Sequence, residues 1–348
     1  MHFNKKIKLG SKEISDDSPV FIIAEAGVNH GGDIELAKDL IDAAVEANAD
    51  AVKFQAFRTE NLILSDVRKA PYQQKTTGSS ESQFEMLKKL EVTKEQNIEL
   101  IDYAKQKNII FLSTPFDEVS LEELSEISLD AFKVASTDTT NIPFLIKMAK
   151  KGKPMFLSTG MSWLSEVRMA LEAIYPYNKD VVLMQCTANY PIEDKEANLA
   201  VINTYRESFD VLLGYSDHSV GTGASPFAVP MGVKLVEKHF TLDRDAKGPD
   251  HKASLSPEEL SEYVKLVRKV EEYIGTSIKK PSFAETKTRS SLQKCLVAAR
   301  DLKKGEVVSD EDLIAKRTGG IGLSPIYFGE LIGRRLSKDY KKDEIIDE

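Results

Sequence analysis

Eight short apolar runs, separated by helix-like or polar stretches, constrain this chain more than any other feature. They are VFIIAEA (20–26), DAVKFQA (50–56), IIFLS (109–113), DAFKVAS (130–136), PMFLS (154–158), VVLMQC (181–186), VLLGYS (211–216) and VKLVEKHF (233–240). Between them, 34–48, 94–107 and 162–174 repeat apolar residues at three- and four-residue spacing, the period of an amphipathic helix. Strands that are apolar almost without interruption belong in a parallel sheet covered on both faces. Eight such units predict a closed (βα)8 barrel, the α/β TIM-barrel class. An open doubly wound sheet is the rival, but it wants a Gly-rich phosphate turn after its first strand. GVNHGGD (27–33) is not that pattern.

The barrel accounts for residues 1–275. Residues 276–290, TSIKKPSFAETKTRS, show no apolar periodicity and read as a linker. Beyond it, 291–348 holds short β-like segments (KCLVAAR, EVVS, DLIAKR) broken by glycines, a small mostly-β second domain. The insertion 57–80 lacks a helical pattern and is longer than a usual βα loop, which marks it as functional.

Composition narrows the class further. With 47 basic against 55 acidic residues the net charge is −8, the wrong sign for a nucleic-acid partner. No apolar run approaches the ~18 residues of a membrane span, and the N-terminus has no apolar signal region. Two cysteines cannot build a disulfide framework or a thiolate metal site. The expectation is a cytoplasmic enzyme without nucleic-acid or membrane partners.

In a barrel, chemistry gathers where the strands end. The polar residues there are Glu25; Lys53 and Gln55; Ser113 and Thr114; Lys133 and Ser136; Ser158 and Thr159; Thr187; Ser216, Asp217 and His218; Glu237 and His239. Lysines within apolar strands need anionic partners, because a buried ammonium without one is expensive. Lys53 paired with Glu25 or Glu237 is therefore one reading, as internal packing. Two lysines, several hydroxyls and a glutamine converging on one rim read better as a cradle for phosphate or carboxylate. His218 and His239 end successive strands, and neighbouring imidazoles with open positions suit a divalent transition metal. His30 and His251 lie in rim loops, as substrate contacts or turns, and Cys186 reads as a small core residue.

These residues sit in segments that resemble the sialic acid (N-acetylneuraminate) synthases: FIIAEAGVNHGGD (21–33), ADAVKFQ (49–55), STPFD (113–117), FKVAS (132–136), LSTGM (157–161), CTANYP (186–191), GYSDHS (214–219) and EKHFTLDRDAKGPDHKASL (237–255). The tail VAARDLKKGEVVSDEDLIAKRTGGIG (297–322) resembles their antifreeze-like (SAF) domain. The resemblance implies condensation of phosphoenolpyruvate with the open-chain aldehyde of an N-acylated hexosamine, giving a nine-carbon 2-keto acid and phosphate by C–O cleavage. It implies a divalent metal on His218 and His239, manganese first, with magnesium or cobalt as alternatives. It places phosphoenolpyruvate on Lys53, Gln55, Thr114, Lys133, Ser136, Ser158 and Ser216. Glu25, Asp138 and Asp250 become the candidate catalytic carboxylates, and Phe116, Tyr190 and Arg317 the sugar contacts. Arg317 in AKRTGG matches an arginine offered by the partner chain's C-terminal domain, which implies a domain-swapped homodimer.

Three positions depart from the family's common pattern. Thr137 and Asp138 stand where many members have Gly-Glu, Ala188 where some have Asn, and Thr318 where Pro often follows the arginine. The first two touch the acceptor side. The leading expected product is N-acetylneuraminate. Alternatives are legionaminate, from 2,4-diacetamido-2,4,6-trideoxymannose, and a 6-phosphorylated N-acetylmannosamine acceptor. More distant rivals are a keto-deoxy sugar phosphate synthase and a non-catalytic sugar-binding protein.

Overall fold

A two-stranded hairpin, β1 (Lys6–Leu9) and β2 (Lys12–Ser15), precedes eight strands that carry the expected apolar runs. These are β3 (Phe21–Gly27), β4 (Ala51–Ala56), β5 (Ile110–Pro115), β6 (Phe132–Val134), β7 (Met155–Ser158), β8 (Val181–Cys186), β9 (Leu212–Asp217) and β10 (Leu235–His239). They close in sequence order into one parallel barrel, β10 pairing with β3. This is a computed structural model that describes residues 1–78, 80–127 and 129–348. It separates into two units, Met1–Gly275 and Thr276–Glu348.

Residues facing outward from the strands, such as Ile22, Val52, Leu157 and Val236, pack against the surrounding helices in one continuous core. Among those helices are Ile34–Glu46, Lys94–Gln106 and Leu164–Ile174, at the three stretches with helical period. Inward-facing residues make a second core of Phe21, Ile23, Ala51, Leu112, Phe156, Met184 and Leu235. Each inner face then turns polar toward the strand's C-terminal end. It reads Phe21, Ile23, Glu25 on β3; Ala51, Lys53, Gln55 on β4; Leu235, Glu237, His239 on β10. Period-two alternation thus stacks an apolar floor beneath a polar rim.

The hairpin closes the other end: Ile7, Leu9 and Ile14 are fully buried against the inner core. Its signal is two short alternating runs, KIKL and KEIS, around Gly10-Ser11, with Gly10 at φ +54°, a glycine-favouring turn geometry.

Two stretches expected without helix contain one. In the insertion, Thr59–Leu62 and Pro71–Thr77 are helical. Pro71 is at the first helical position, where its missing N–H costs nothing. Gln73 Oε1 accepts from the N–H of Ala70 at 3.0 Å, and Lys69 Nζ donates to Gly78 O at 3.1 Å, closing both ends. Within the expected linker, Phe283–Leu292 is helical with no buried residue. The reciprocal capping of Ser282 and Glu285, at 2.7 and 3.2 Å, starts it without an apolar face.

The C-terminal unit pairs β11 (Lys294–Ala298) with β12 (Leu313–Arg317) antiparallel. Its own core includes Leu296, Leu302, Leu313, Leu336, Tyr340 and Ile346.

Candidate active site

All eight barrel strands, or the loops after them, send side chains into one cavity at the C-terminal rim. It is tight, about 60 Å³, and lies among Glu25, Lys53, Gln55, Thr114, Lys133, Ser136, Ser158 and Ser216. Phe116, Tyr190, His218 and His239 complete the wall from the sequence-derived set. Asp138 does not line it. Its carboxylate accepts from Asn141 Nδ2 at 2.9 Å, inside the turn Ser136–Asp138, one methylene shorter than the Glu of the common pattern. Asp250 is buried at the turn before His251–Ala253. Arg317 ends β12 in the C-terminal unit, exposed.

The cavity also gathers Ala135, Cys186 and Glu237, which stand outside the expected catalytic, binding and metal sets, Glu237 being expected at the rim only as a partner for Lys53. Glu237 was legible through the inner face it shares with His239 on β10. Cys186 ends β8, its Sγ 3.6 Å from Ser136 Oγ and 3.8 Å from His218 Nδ1.

An ion network fills the centre. Lys53 Nζ lies 2.8 Å from Glu25 Oε2 and 3.8 Å from Glu237 Oε2, and donates to Thr114 Oγ1 at 3.0 Å. Lys133 Nζ is 3.5 Å from Glu237 Oε1, which accepts from Ser216 Oγ at 3.1 Å. Gln55 Nε2 donates to Glu25 Oε1 at 3.3 Å. Burial sets the individual charges. It pushes the Glu25 carboxyl up to about 7 against the pull of Lys53. Burial also works to raise Glu237, but Lys133 and Lys53 together hold it below the ordinary carboxylate range. The Lys53 ammonium stays above its ordinary value because Glu237 and Glu25 outweigh burial, whereas burial lowers Lys133.

Polar atoms of the cavity wall are left wanting. Ser158 Oγ and Glu237 Oε2 are buried without a hydrogen-bond partner among the described residues. An unmet buried hydroxyl costs about 1–3 kcal/mol, which an acceptor-rich ligand in the cavity removes.

The two imidazoles stand with ring centroids 5.5 Å apart, Tyr190 packing on both at 4.1 and 5.6 Å. His218 Nδ1 is 2.7 Å from the carbonyl oxygen of Thr187. That contact makes Nδ1 a donor. Burial works to lower the ring, but Cys186 and the Thr187 carbonyl outweigh it and raise the ring above its ordinary pKa, so Nε2 offers a lone pair only in the neutral form. His239 is held well below its ordinary value by burial and by the neighbouring His218 charge, so its ring is neutral. Its Nδ1 is buried and unpartnered. No group of three or more His, Cys, Asp or Glu able to hold a metal occurs among the described residues. His218 and His239 thus offer an ion two imidazole nitrogens, fewer than a closed protein site supplies.

Asp250 supplies a pH signature. Burial raises its carboxyl from 3.8 to about 6, against the His218 and Lys53 charges. The folded state thus holds this proton more tightly than the unfolded chain. Its contribution to stability is complete below about pH 4 and is lost as pH rises through 6. Two units correspond to about 3 kcal/mol. Asp250→Asn is expected to flatten the pH 4–7 slope by most of that amount in urea unfolding. Superimposable slopes would exclude Asp250 as the titrating group.

A wider hollow of about 610 Å³ adjoins the cavity at Cys186, between the segments following β7 and β8. Its wall includes Met161, Leu164, Ala188, Val201 and Thr204. Several hydroxyls there are already bonded inward: Thr159 to Met184 O at 2.8 Å and Thr187 to Glu196 O at 2.7 Å. What the wall presents is largely apolar.

Known proteins share this plan. The NeuB family matches residues 40–279, and the SAF domain matches 293–348. An N,N'-diacetyllegionaminic acid synthase of Campylobacter jejuni is 45% identical over 94% of this chain and 98% of its own length. The N-acetylneuraminate-9-phosphate synthase of Homo sapiens is 36% identical over 96% of this chain and 93% of its own. Among solved structures, the N-acetylneuraminic acid synthetase of Leptospira borgpetersenii superposes with a TM-score of 0.73 at 34% identity, covering 84% of this chain and 98% of that one. Matched over most of its barrel and over its tail, this chain belongs to the NeuB family and carries a C-terminal SAF domain.

Proposed function

We propose that this chain is a nonulosonic acid synthase that joins phosphoenolpyruvate to the open-chain aldehyde of 2,4-diacetamido-2,4,6-trideoxymannose, yielding N,N'-diacetyllegionaminic acid and phosphate. The observation that carries the reaction is the buried cradle of Lys53 and Lys133 with the unpartnered Ser158 hydroxyl. Two ammoniums and several hydroxyls match a ligand carrying a phosphate and a carboxylate. For the acceptor, identity to the legionaminic acid synthase is 45%, against 36% to the N-acetylneuraminate-9-phosphate synthase. Ala188, small where some members have Asn, and the apolar hollow beside it leave room for a second acylamino group. A second reading, N-acetylneuraminate from N-acetylmannosamine, is favoured by the 34% identity to the Leptospira protein.

In this reading carbon 3 of phosphoenolpyruvate attacks the aldehyde carbon, and positive charge develops at carbon 2. Water adds there and phosphate departs by C–O cleavage. Lys53, Lys133, Thr114, Ser136, Ser158 and Ser216 hold the phosphate and carboxylate, with Gln55 beside them. Glu25, poised near neutral pH, moves the proton of the entering water, and Asp250 is the second carboxylate for acid/base work or water positioning. Asp138 supports the turn under Ser136. A divalent ion on His218 and His239, manganese first, would supply Lewis-acid polarisation of the aldehyde oxygen. Phe116 and Tyr190 flank the sugar. The assignment of Arg317 to the N-acyl group, the homodimer and a cytoplasmic location belong to the same proposal.

Phosphate release from phosphoenolpyruvate tests it, with manganese and a panel of acceptors. Release is expected to require the sugar, to stop with a chelator, and to be fastest with the diacetamido acceptor. Faster release with N-acetylmannosamine would move the product to N-acetylneuraminate. No release with any acceptor would overturn the catalytic reading.

A further inference from the structure

The residues immediately before the two imidazoles form a second layer on the far side of the barrel wall. Side chains alternate along a strand. Ser216, His218, Glu237 and His239 line the cavity, so Asp217 and Lys238 turn outward. They are register partners across β9 and β10. Lys238 Nζ lies 3.3 Å from Asp217 Oδ1, with both side chains fully buried.

The segment beyond β9 is built on this pair. Asp217 accepts from the N–H of Ser219 at 2.9 Å, of Ala224 at 3.0 Å and of Ser225 at 2.9 Å. It also accepts from the hydroxyls of Ser219 and Ser225 at 2.5 and 2.8 Å. Lys238 donates to the carbonyl oxygen of Ser219. One ion pair therefore ties together the ends of both imidazole-bearing strands and the chain that leaves His218.

Holding two strands side by side does not require charge. Apolar residues of similar volume serve stability as well as a buried ion pair does. What charge adds is direction, since a carboxylate satisfied by five donors besides Lys238 fixes the backbone on either side of it. We propose that Asp217 and Lys238 are positioning residues, their ion pair setting the separation and ring directions of His218 and His239 and through them the cation site. The proposal rests on the two-histidine metal reading above.

Cobalt alone, titrated into the full-length chain and followed by calorimetry and visible absorption, tests it. Phosphoenolpyruvate binding without metal is measured in parallel. Asp217→Asn and Lys238→Met are expected to weaken cobalt affinity about 10–100-fold, the usual effect of losing an outer-shell partner. They should also shift the absorption bands while phosphoenolpyruvate affinity stays within about twofold. In the double variant the second substitution should cost less than it does alone. Ser225→Ala, which removes one donor and keeps the pair, should weaken cobalt binding by a smaller factor. It carries the test if the charge variants do not fold. Unchanged cobalt affinity and spectrum in folded variants would overturn the proposal, as would an equal loss of phosphoenolpyruvate binding. A wild-type chain that binds no cobalt would instead overturn the metal reading beneath it.

Discussion

Lys53→Met is expected to abolish sugar-dependent phosphate release and to destabilise the fold by about 3–5 kcal/mol at pH 8, the cost of breaking a buried ion network by removing one partner. The substitution nearly preserves volume, so the loss is electrostatic. Glu25 and Glu237 are left buried, 2.8 and 3.8 Å from where the ammonium stood. The two effects separate with pH. The Glu25 carboxyl titrates near 7 even with Lys53 beside it, and without that cation its proton is held more tightly. Protonation therefore removes part of the stability penalty as pH falls toward 6, but it does not restore an anion cradle. Urea unfolding at pH 6 and 8 and calorimetry with phosphoenolpyruvate read the two effects independently. Undiminished phosphoenolpyruvate affinity would return Lys53 to a role in internal packing.

Gly223→Ala is expected to cost about 2–5 kcal/mol of stability and Gly221→Ala only about 1–2. Both glycines have φ +63°, which carries about 1–2 kcal/mol for any residue with a Cβ. They differ in surroundings. A Cβ on Gly221 meets nothing within 4 Å, whereas one on Gly223 would lie 2.2 Å from Ser219 Oγ and 2.7 Å from Lys238 Nζ. Forcing those atoms apart adds about 1–3 kcal/mol. The difference between the two variants, measured by thermal or urea unfolding, isolates the packing against Asp217 and Lys238. Equal losses would mean that the segment relaxes around the added methyl.

The elements most legible in the sequence are those whose burial is two-sided. Phe21–Gly27, Val181–Cys186 and Leu212–Asp217 are buried along their whole length, and such runs admit few alternatives to a parallel sheet. Elements held by capping rather than burial were not legible in apolar periodicity. The helix Phe283–Leu292 buries nothing, and its only mark is the Ser282–Glu285 spacing. The helix Pro71–Thr77 depends on Lys69, whose contacts to Thr77 Oγ1 and Glu81 at 2.9 and 3.1 Å lie outside any local pattern.

For the site, the sequence by itself determined which residues stand at strand ends and on which face, because period-two alternation is a local property. That is enough to bring Lys53, Lys133, Ser158, His218 and His239 to one rim. Only the tertiary structure decided how they combine. Closure of β10 against β3 puts Glu25 and Glu237 on either side of one ammonium, a meeting of residues more than two hundred positions apart. The same closure sets the protonation of Glu25, and the parallel register of β9 with β10 sets the outward pairing of Asp217 with Lys238. Strand identity is written in consecutive residues, whereas charge state is a property of the space the strands enclose.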